Sequence, residues 1–107
     1  MFLQALLFNG DMSAWDTSNL SNASNMFEYA FEFNRDISDW NTSNVVTMHQ
    51  MFRDAAKFAG DLGTWDTSST LNMAEMFRGA NAFNSDIGDW KVGKVKGMVG
   101  MFQGTLW

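Results

Sequence analysis

Asp11, Asp36, Asp61 and Asp86 recur at one fixed spacing. Carboxylates stacked at about 5 Å, the separation of neighbouring strands, would offer oxygen ligands to a hard cation such as Ca²⁺. A simpler origin needs no metal. An Asp side chain accepts N–H bonds from its own turn, and every repeat shares that turn. No metal or other cofactor is expected. Trp15, Trp40, Trp65 and Trp90 form a second column. Indole rings can stack on sugars, yet rings at one inward-facing repeat position read as core. Thr17, Thr42 and Thr67, each followed by Ser18, Ser43 or Ser68, form a hydroxyl ladder that Val92-Gly93 interrupts. On a flat face such a ladder could match ice. Asn9, Asn34 and Asn84 form a further column, broken by Ala59, suited to bonding loop backbone between coils. The single histidine, His49, shares its column with Ser24, Ala74 and Val99. It reads as a variable, solvent-facing position on a helix. No Ser-His-Asp arrangement is indicated, and no enzyme is expected.

The elements that position these residues repeat with them. Phe8, Phe33, Phe58 and Phe83 lie 25 apart, as do the Met-Phe pairs at 26–27, 51–52, 76–77 and 101–102. Met1-Phe2 and Ala5 continue the same columns backward. The chain therefore reads as one domain, 1–107, made of a partial repeat 1–7 and repeats 8–32, 33–57, 58–82 and 83–107. A fixed period of this size signals a solenoid. Val45, Met48, Met51, Phe52, Ala55 and Phe58 follow three- and four-residue steps. Such steps predict a helix of about 8–10 residues, too short to stand without neighbours. Asn22, Thr47, Asn72 and Gly97 stand at its N-cap, and Thr47 with Gln50 and Asn72 with Glu75 have capping-box spacing. In "DWNT" the two-residue alternation of a strand turns Trp40 and Thr42 inward and Asp39 and Asn41 outward. The expected fold is an α/β solenoid: a right-handed, leucine-rich-repeat-like array with one short strand and one short helix per 25-residue coil. Helices are about twice as wide as strands, so the array should curve with a parallel sheet on its concave side.

A known pattern matches over essentially the whole chain, and in the second repeat Phe33, Asn34, Asp36, Ile37, Ser38, Trp40, Thr42, Ser43, Asn44, Val45, Met48, Met51, Phe52 and Ala55 all fit it. That pattern resembles the bacterial surface-lipoprotein repeats of about 26 residues, relatives of the BspA-like leucine-rich repeats. Repeat four departs from it at Lys91-Val92-Gly93-Lys94, and repeat one carries Ala23 where the pattern has Met. The resemblance implies a surface or extracellular, non-enzymatic recognition role and transfers no catalytic residue.

Composition narrows the remaining choices. The 107 residues suffice for one modest core, and the absence of cysteine excludes disulfides. A net charge of −5 argues against nucleic-acid binding. Residues 1–50 hold six acids against Arg35 alone, whereas Lys91, Lys94 and Lys96 cluster in repeat four. No run of about 18 apolar residues encodes a membrane span. Outward strand positions Ala14, Asp16, Asp39, Asn41, Thr64, Asp66, Asp89 and Lys91 are polar and variable. Solenoids bind partners on such faces, so these residues are the expected contacts for a protein or glycan. Phe2, Leu6, Leu106 and Trp107 are expected as exposed apolar end contacts for further repeats, another copy or a partner. The expected function is a non-enzymatic recognition scaffold, part of a longer surface protein. The alternatives are a structural accessory subunit docked on a larger assembly, and ice binding.

Overall fold

A computed structural model describes Met12 and residues 15–104. Segment 22–30, expected as helix, is a run of tight turns. In this run the amides of Met26, Glu28 and Ala30 donate three residues back, to the carbonyls of Ala23, Asn25 and Phe27. The intervening amides leave the coil altogether. Ala23, Asn25, Phe27 and Tyr29 donate to the carbonyls of Thr47, His49, Met51 and Arg53 in the next coil. Segments 47–54 and 72–79 repeat the scheme, so Met48 reaches Asn72, Phe52 reaches Met76 and Phe77 reaches Met101. These coil-to-coil bonds measure 2.7–3.0 Å.

Turning the chain in this way requires a left-handed residue at every fourth position. Asn25 and Tyr29, Gln50 and Asp54, Glu75 and Gly79, and Gly100 and Gly104 all have φ between 55° and 78°. That region costs an ordinary L-residue about 1–2 kcal/mol and costs glycine almost nothing. The bonds to the next coil hold the non-glycine members in place.

The expected α/β, leucine-rich-repeat-like solenoid, with one strand and one helix per coil and a concave parallel sheet, is therefore overturned. Among the described residues there is no α-helix and no strand, only isolated parallel pairings of Asn22 with Thr47, Thr47 with Asn72, and Asn72 with Gly97. These pairings lie at the expected helix N-cap, not at "DWNT". The physical reason is that turns closed three residues back bury residues three apart, the same spacing that marks a short helix. A helix would spend its amides within its own coil. Here half of them bond the neighbouring coil. No wedge of wide helices against narrow strands remains, so the expected curvature loses its cause.

The "DWNT" half holds its neighbours by side chains. Trp40 Nε1 donates to the Met12 carbonyl at 3.0 Å, Trp65 Nε1 to Ile37 at 3.1 Å and Trp90 Nε1 to Leu62 at 2.8 Å. Thr17, Thr42 and Thr67 donate their hydroxyls to the carbonyls of Asn41, Asp66 and Lys91 in the following coil. The alternation read from the sequence holds here, with Trp40 and Thr42 buried and Asp39 and Asn41 exposed. With backbone groups satisfied this way, no sheet forms among the described residues.

Between the two halves runs an aromatic core. Six residues apart along the chain, across each repeat boundary, Phe27 stacks on Phe33 at 4.2 Å, Phe52 on Phe58 at 4.4 Å and Phe77 on Phe83 at 3.9 Å between ring centroids. Between coils, Phe27, Phe52, Phe77 and Phe102 stack at 5.5–5.7 Å. Met48, Met51, Met73, Met76 and the alanines at 30, 55 and 80 fill the space beside them.

A paired substitution tests the left-handed turns. At Gly79, φ is +71° and an added Cβ would collide with Asp54 Oδ1, whereas a Cβ at Gly93 meets nothing within 4 Å. Gly79→Ala should lower the unfolding free energy by at least about 1–2 kcal/mol. Gly93→Ala should change it little, as judged by denaturant melts of the two variants side by side.

Candidate functional site

In the second and third repeats three side-chain acceptors shape the corners, each bonding an amide two residues ahead; repeat four keeps the first of them and has Lys91 and Gly97 at the other two. At the first corner, Asp36 Oδ1 accepts from Ser38 N at 2.9 Å, Asp61 Oδ1 from Gly63 N at 2.9 Å and Asp86 Oδ1 from Gly88 N at 2.9 Å. The Asp column thus spends its carboxylates on its own turns, and Asp11 lies outside the described residues. Among the described residues no group of three His, Cys, Asp or Glu side chains could hold a metal ion.

At the second corner, Asp16, Asn41 and Asp66 accept from the amides of Ser18, Ser43 and Ser68 at 2.9–3.1 Å. The Ser18 and Ser43 hydroxyls donate to the same oxygens. At the third, Asn22, Thr47 and Asn72 accept from Ser24, His49 and Ala74. Asn22, Thr47 and Asn72, expected as helix N-caps, hold tight turns instead, and Gly97 has no side chain to do so. Gln50 and Glu75 do not complete capping boxes. They form a ladder across coils instead, with Asn25 Nδ2 donating to Gln50 Oε1 at 2.7 Å and Gln50 Nε2 to Glu75 Oε1 at 2.9 Å. Arg78 pairs with Glu75.

The outward residues named from the sequence all lie exposed: Asp16, Asp39, Asn41, Thr64, Asp66, Asp89 and Lys91. Four of them meet. Thr64, Asp66, Asp89 and Lys91 rim a shallow depression of about 350 Å³ whose floor is Gly63, Trp65 and Thr67. Asp39 and Asn41 occupy the same columns one coil earlier, and Asp16 one coil before that. The residues of this face differ in freedom. Asp16, Asn41 and Asp66 hold turns, and Thr64 Oγ1 donates to the Ser38 carbonyl at 3.3 Å. Asp39 and Asp89 make no hydrogen bond or ion pair among the described residues, so their carboxylates are wholly available to a partner.

Charge on the face follows from these contacts. The Ser18 amide, then its hydroxyl, holds the Asp16 carboxyl below the usual carboxylate range. The Ser68 hydroxyl and amide do the same for Asp66, with a smaller contribution from Lys91. Both side chains are anionic at neutral pH.

Other candidates fall away from this face. Thr17, Thr42 and Thr67 are buried, so the hydroxyl ladder presents no flat surface to ice. Trp40, Trp65 and Trp90 are core, while Trp15 is half exposed. His49 is part-buried in the turn run, where its carbonyl accepts from Asn25 N. It is not on a helix and not fully solvent-facing. Asn34 bonds between coils, its Oδ1 accepting from Ala59 N at 3.0 Å. Ala14, Phe2, Leu6, Leu106 and Trp107 lie outside the described residues. Sequence reasoning missed the fourfold spacing of left-handed positions. The signal was present in Asn25, Asp54, Gly79, Gly100 and Gly104, residues tolerant of φ > 0 inside a supposed helix.

A family model described as "Mycoplasma protein of unknown function, DUF285" matches residues 1–106. The chain belongs to the DUF285 family. No curated protein matches it, and no solved structure does. Among the described residues of this DUF285 chain, no helix is long and apolar enough to cross a membrane.

The second corner of the DUF285 coil predicts a pH dependence. Unfolded Asp titrates near about pH 3.9, and the folded Asp16 and Asp66 values lie lower. Their contribution is therefore complete above about pH 5 and is lost as pH falls through the folded values. Asn41 shows that an amide can hold the same corner. Asp66→Asn should leave the melting temperature at neutral pH nearly unchanged and make its fall below about pH 4 shallower, as followed by thermal melts across acid pH.

Proposed function

We propose that this DUF285 chain is a non-enzymatic recognition scaffold, presenting a row of exposed polar side chains to a protein or glycan at a cell surface. Adjacent positions have opposite characters. The inward columns are nearly uniform, with Trp and Thr in coil after coil. The outward columns change, from Asp39 to Thr64 to Asp89 and from Asn41 to Asp66 to Lys91. A scaffold keeps what holds it and varies what it displays. The observation that carries the reading is that four of the outward residues, Thr64, Asp66, Asp89 and Lys91, rim one depression. The resemblance to BspA-like surface repeats supports the surface location and adds no catalytic residue.

Asp89 gives the cleanest test because it has no turn to hold. The labelled chain should bind a member of a glycan array or of a panel of immobilised cell-surface proteins. Asp89→Lys, and to a lesser degree Asp39→Lys, should weaken that binding by about tenfold or more with an unchanged melting curve. Binding that survives both charge reversals, or no binding to either panel, would contradict the reading.

A further inference from the structure

Just past the second corner, each coil turns one side chain inward and the next outward. In repeats one and four the inward residue is apolar and the outward one polar. Leu20 packs on the core with Ser21 exposed, and Val95 packs on it with Lys96 exposed. Repeats two and three depart from this order. Val46 follows the buried Val45 and is 41% exposed. One coil on, the order is inverted, with Thr70 0% and Leu71 41% exposed. The Thr70 hydroxyl donates to the Val45 carbonyl at 2.9 Å, so threonine is satisfied inside. Leu71 forgoes the gain that burial of an aliphatic side chain brings. The fold alone gives no reason to set leucine outward here.

The two exposed side chains are neighbours. Leu71 N donates to the Val46 carbonyl and Lys96 N to the Leu71 carbonyl, both at 2.8 Å, so Val46, Leu71 and Lys96 stand in one outward column. Lys94 lies beside it, on the turn that Val95 N closes on the Val92 carbonyl. Lys94 and Lys96 are exposed, and their ammonium groups make no hydrogen bond or ion pair among the described residues. Lys91 differs, since its charge acts on Asp66. Residues 91–96 hold three lysines and no acid, in a chain of net charge −5. Asn44, Val46 and Leu71 occupy the columns of Lys94 and Lys96 with a coil on either side, and all three are exposed. These columns therefore face out of the array, and stacking of coils does not cover them.

We propose that Val46, Leu71, Lys94 and Lys96 form a docking surface for an acidic protein segment. An apolar side chain of the partner rests on Val46 and Leu71, and Asp or Glu carboxylates beside it reach Lys94 and Lys96. Charge complementarity selects the acid, because the two lysines have no carboxylate of their own. The aliphatic pair selects a protein over a glycan, because it offers nothing to a sugar hydroxyl. This inference does not rest on the recognition row of Asp39 and Asp89, which stands on other columns.

Selection of a random peptide library displayed on phage against the full chain tests it. Enriched peptides should carry a large apolar residue flanked by Asp or Glu. A synthetic copy of the most enriched peptide should bind about tenfold or more weakly to Leu71→Ser, and again to Lys94→Glu with Lys96→Glu, each with an unchanged melting curve. Added salt should weaken the binding. In NMR titrations of labelled protein the amide signals of Val46, Leu71 and Lys96 should shift, a readout that needs no variant. Asp39→Lys should leave this binding unchanged, so the two surfaces fail separately. Enriched peptides without acidic residues, or binding indifferent to Leu71→Ser, would overturn the proposal. So would heparin or phosphatidylserine vesicles that bind through Lys94 and Lys96 while no peptide is enriched, which would assign the lysines to a glycan or a lipid surface.

Discussion

The amides of the turn segments set the terms for the rest of the molecule. Each segment has more N–H groups than its own turns can use, and alternate ones point out of the coil. A buried amide without an acceptor costs about 1–3 kcal/mol, so a neighbouring coil must supply one. That requirement fixes the repeat length. Amides that reach a set position of the next coil, beside phenylalanines stacked in one column, tolerate no insertion within a coil. A single added residue would bring Phe52 opposite a wrong column and break both the ladder and the aromatic stack. The unbroken register of the sequence is the expected consequence.

The second half of the coil solves the same problem with different chemistry. Around Trp40 and Thr42 the chain turns corners, and indole N–H and threonine hydroxyls reach the carbonyls that strands would otherwise pair. Each corner is set by a short side-chain acceptor placed two residues before the amide it holds: Asp36, Asn41 and Thr47 in the second full repeat. This division explains the character of the candidate face. Its oxygens are partly committed, because Asp16, Asn41 and Asp66 hold turns. Asp39 and Asp89 carry no such duty. Recognition and folding are thus borne by neighbouring residues of one surface, and substitutions at the two classes should separate in their effects.

Much of this was legible in the sequence, and the unread part has a definite cause. The period of 25, the inward Trp40 and Thr42, the outward Asp39 and Asn41, and the turn-holding Asp column follow from residue types and spacing. The helix did not survive, since Ala23, Met26 and Ala30 are spaced as a short helix would space them. Turns closed three residues back bury the same positions. Which acceptor an amide chooses, four residues behind or one coil ahead, leaves no mark on an apolar pattern. A mark did exist in the residues that tolerate positive φ. Gly79, Gly100 and Gly104 would each weaken a helix, and each sits where the chain must turn left-handed. The depression of Thr64, Asp66, Asp89 and Lys91 was legible as a set of outward residues but not as a group, because grouping depends on the stacking of coils.

The central claim is that alternate amides of the turn segments bond the following coil. Through-hydrogen-bond scalar couplings, measured by NMR on isotope-labelled protein, report each acceptor directly. The structure predicts a coupling from the Phe52 amide nitrogen to the Met76 carbonyl carbon, and from Gln50 to Ala74. Couplings from Phe52 to Met48, four residues back, would show a helix and contradict the account.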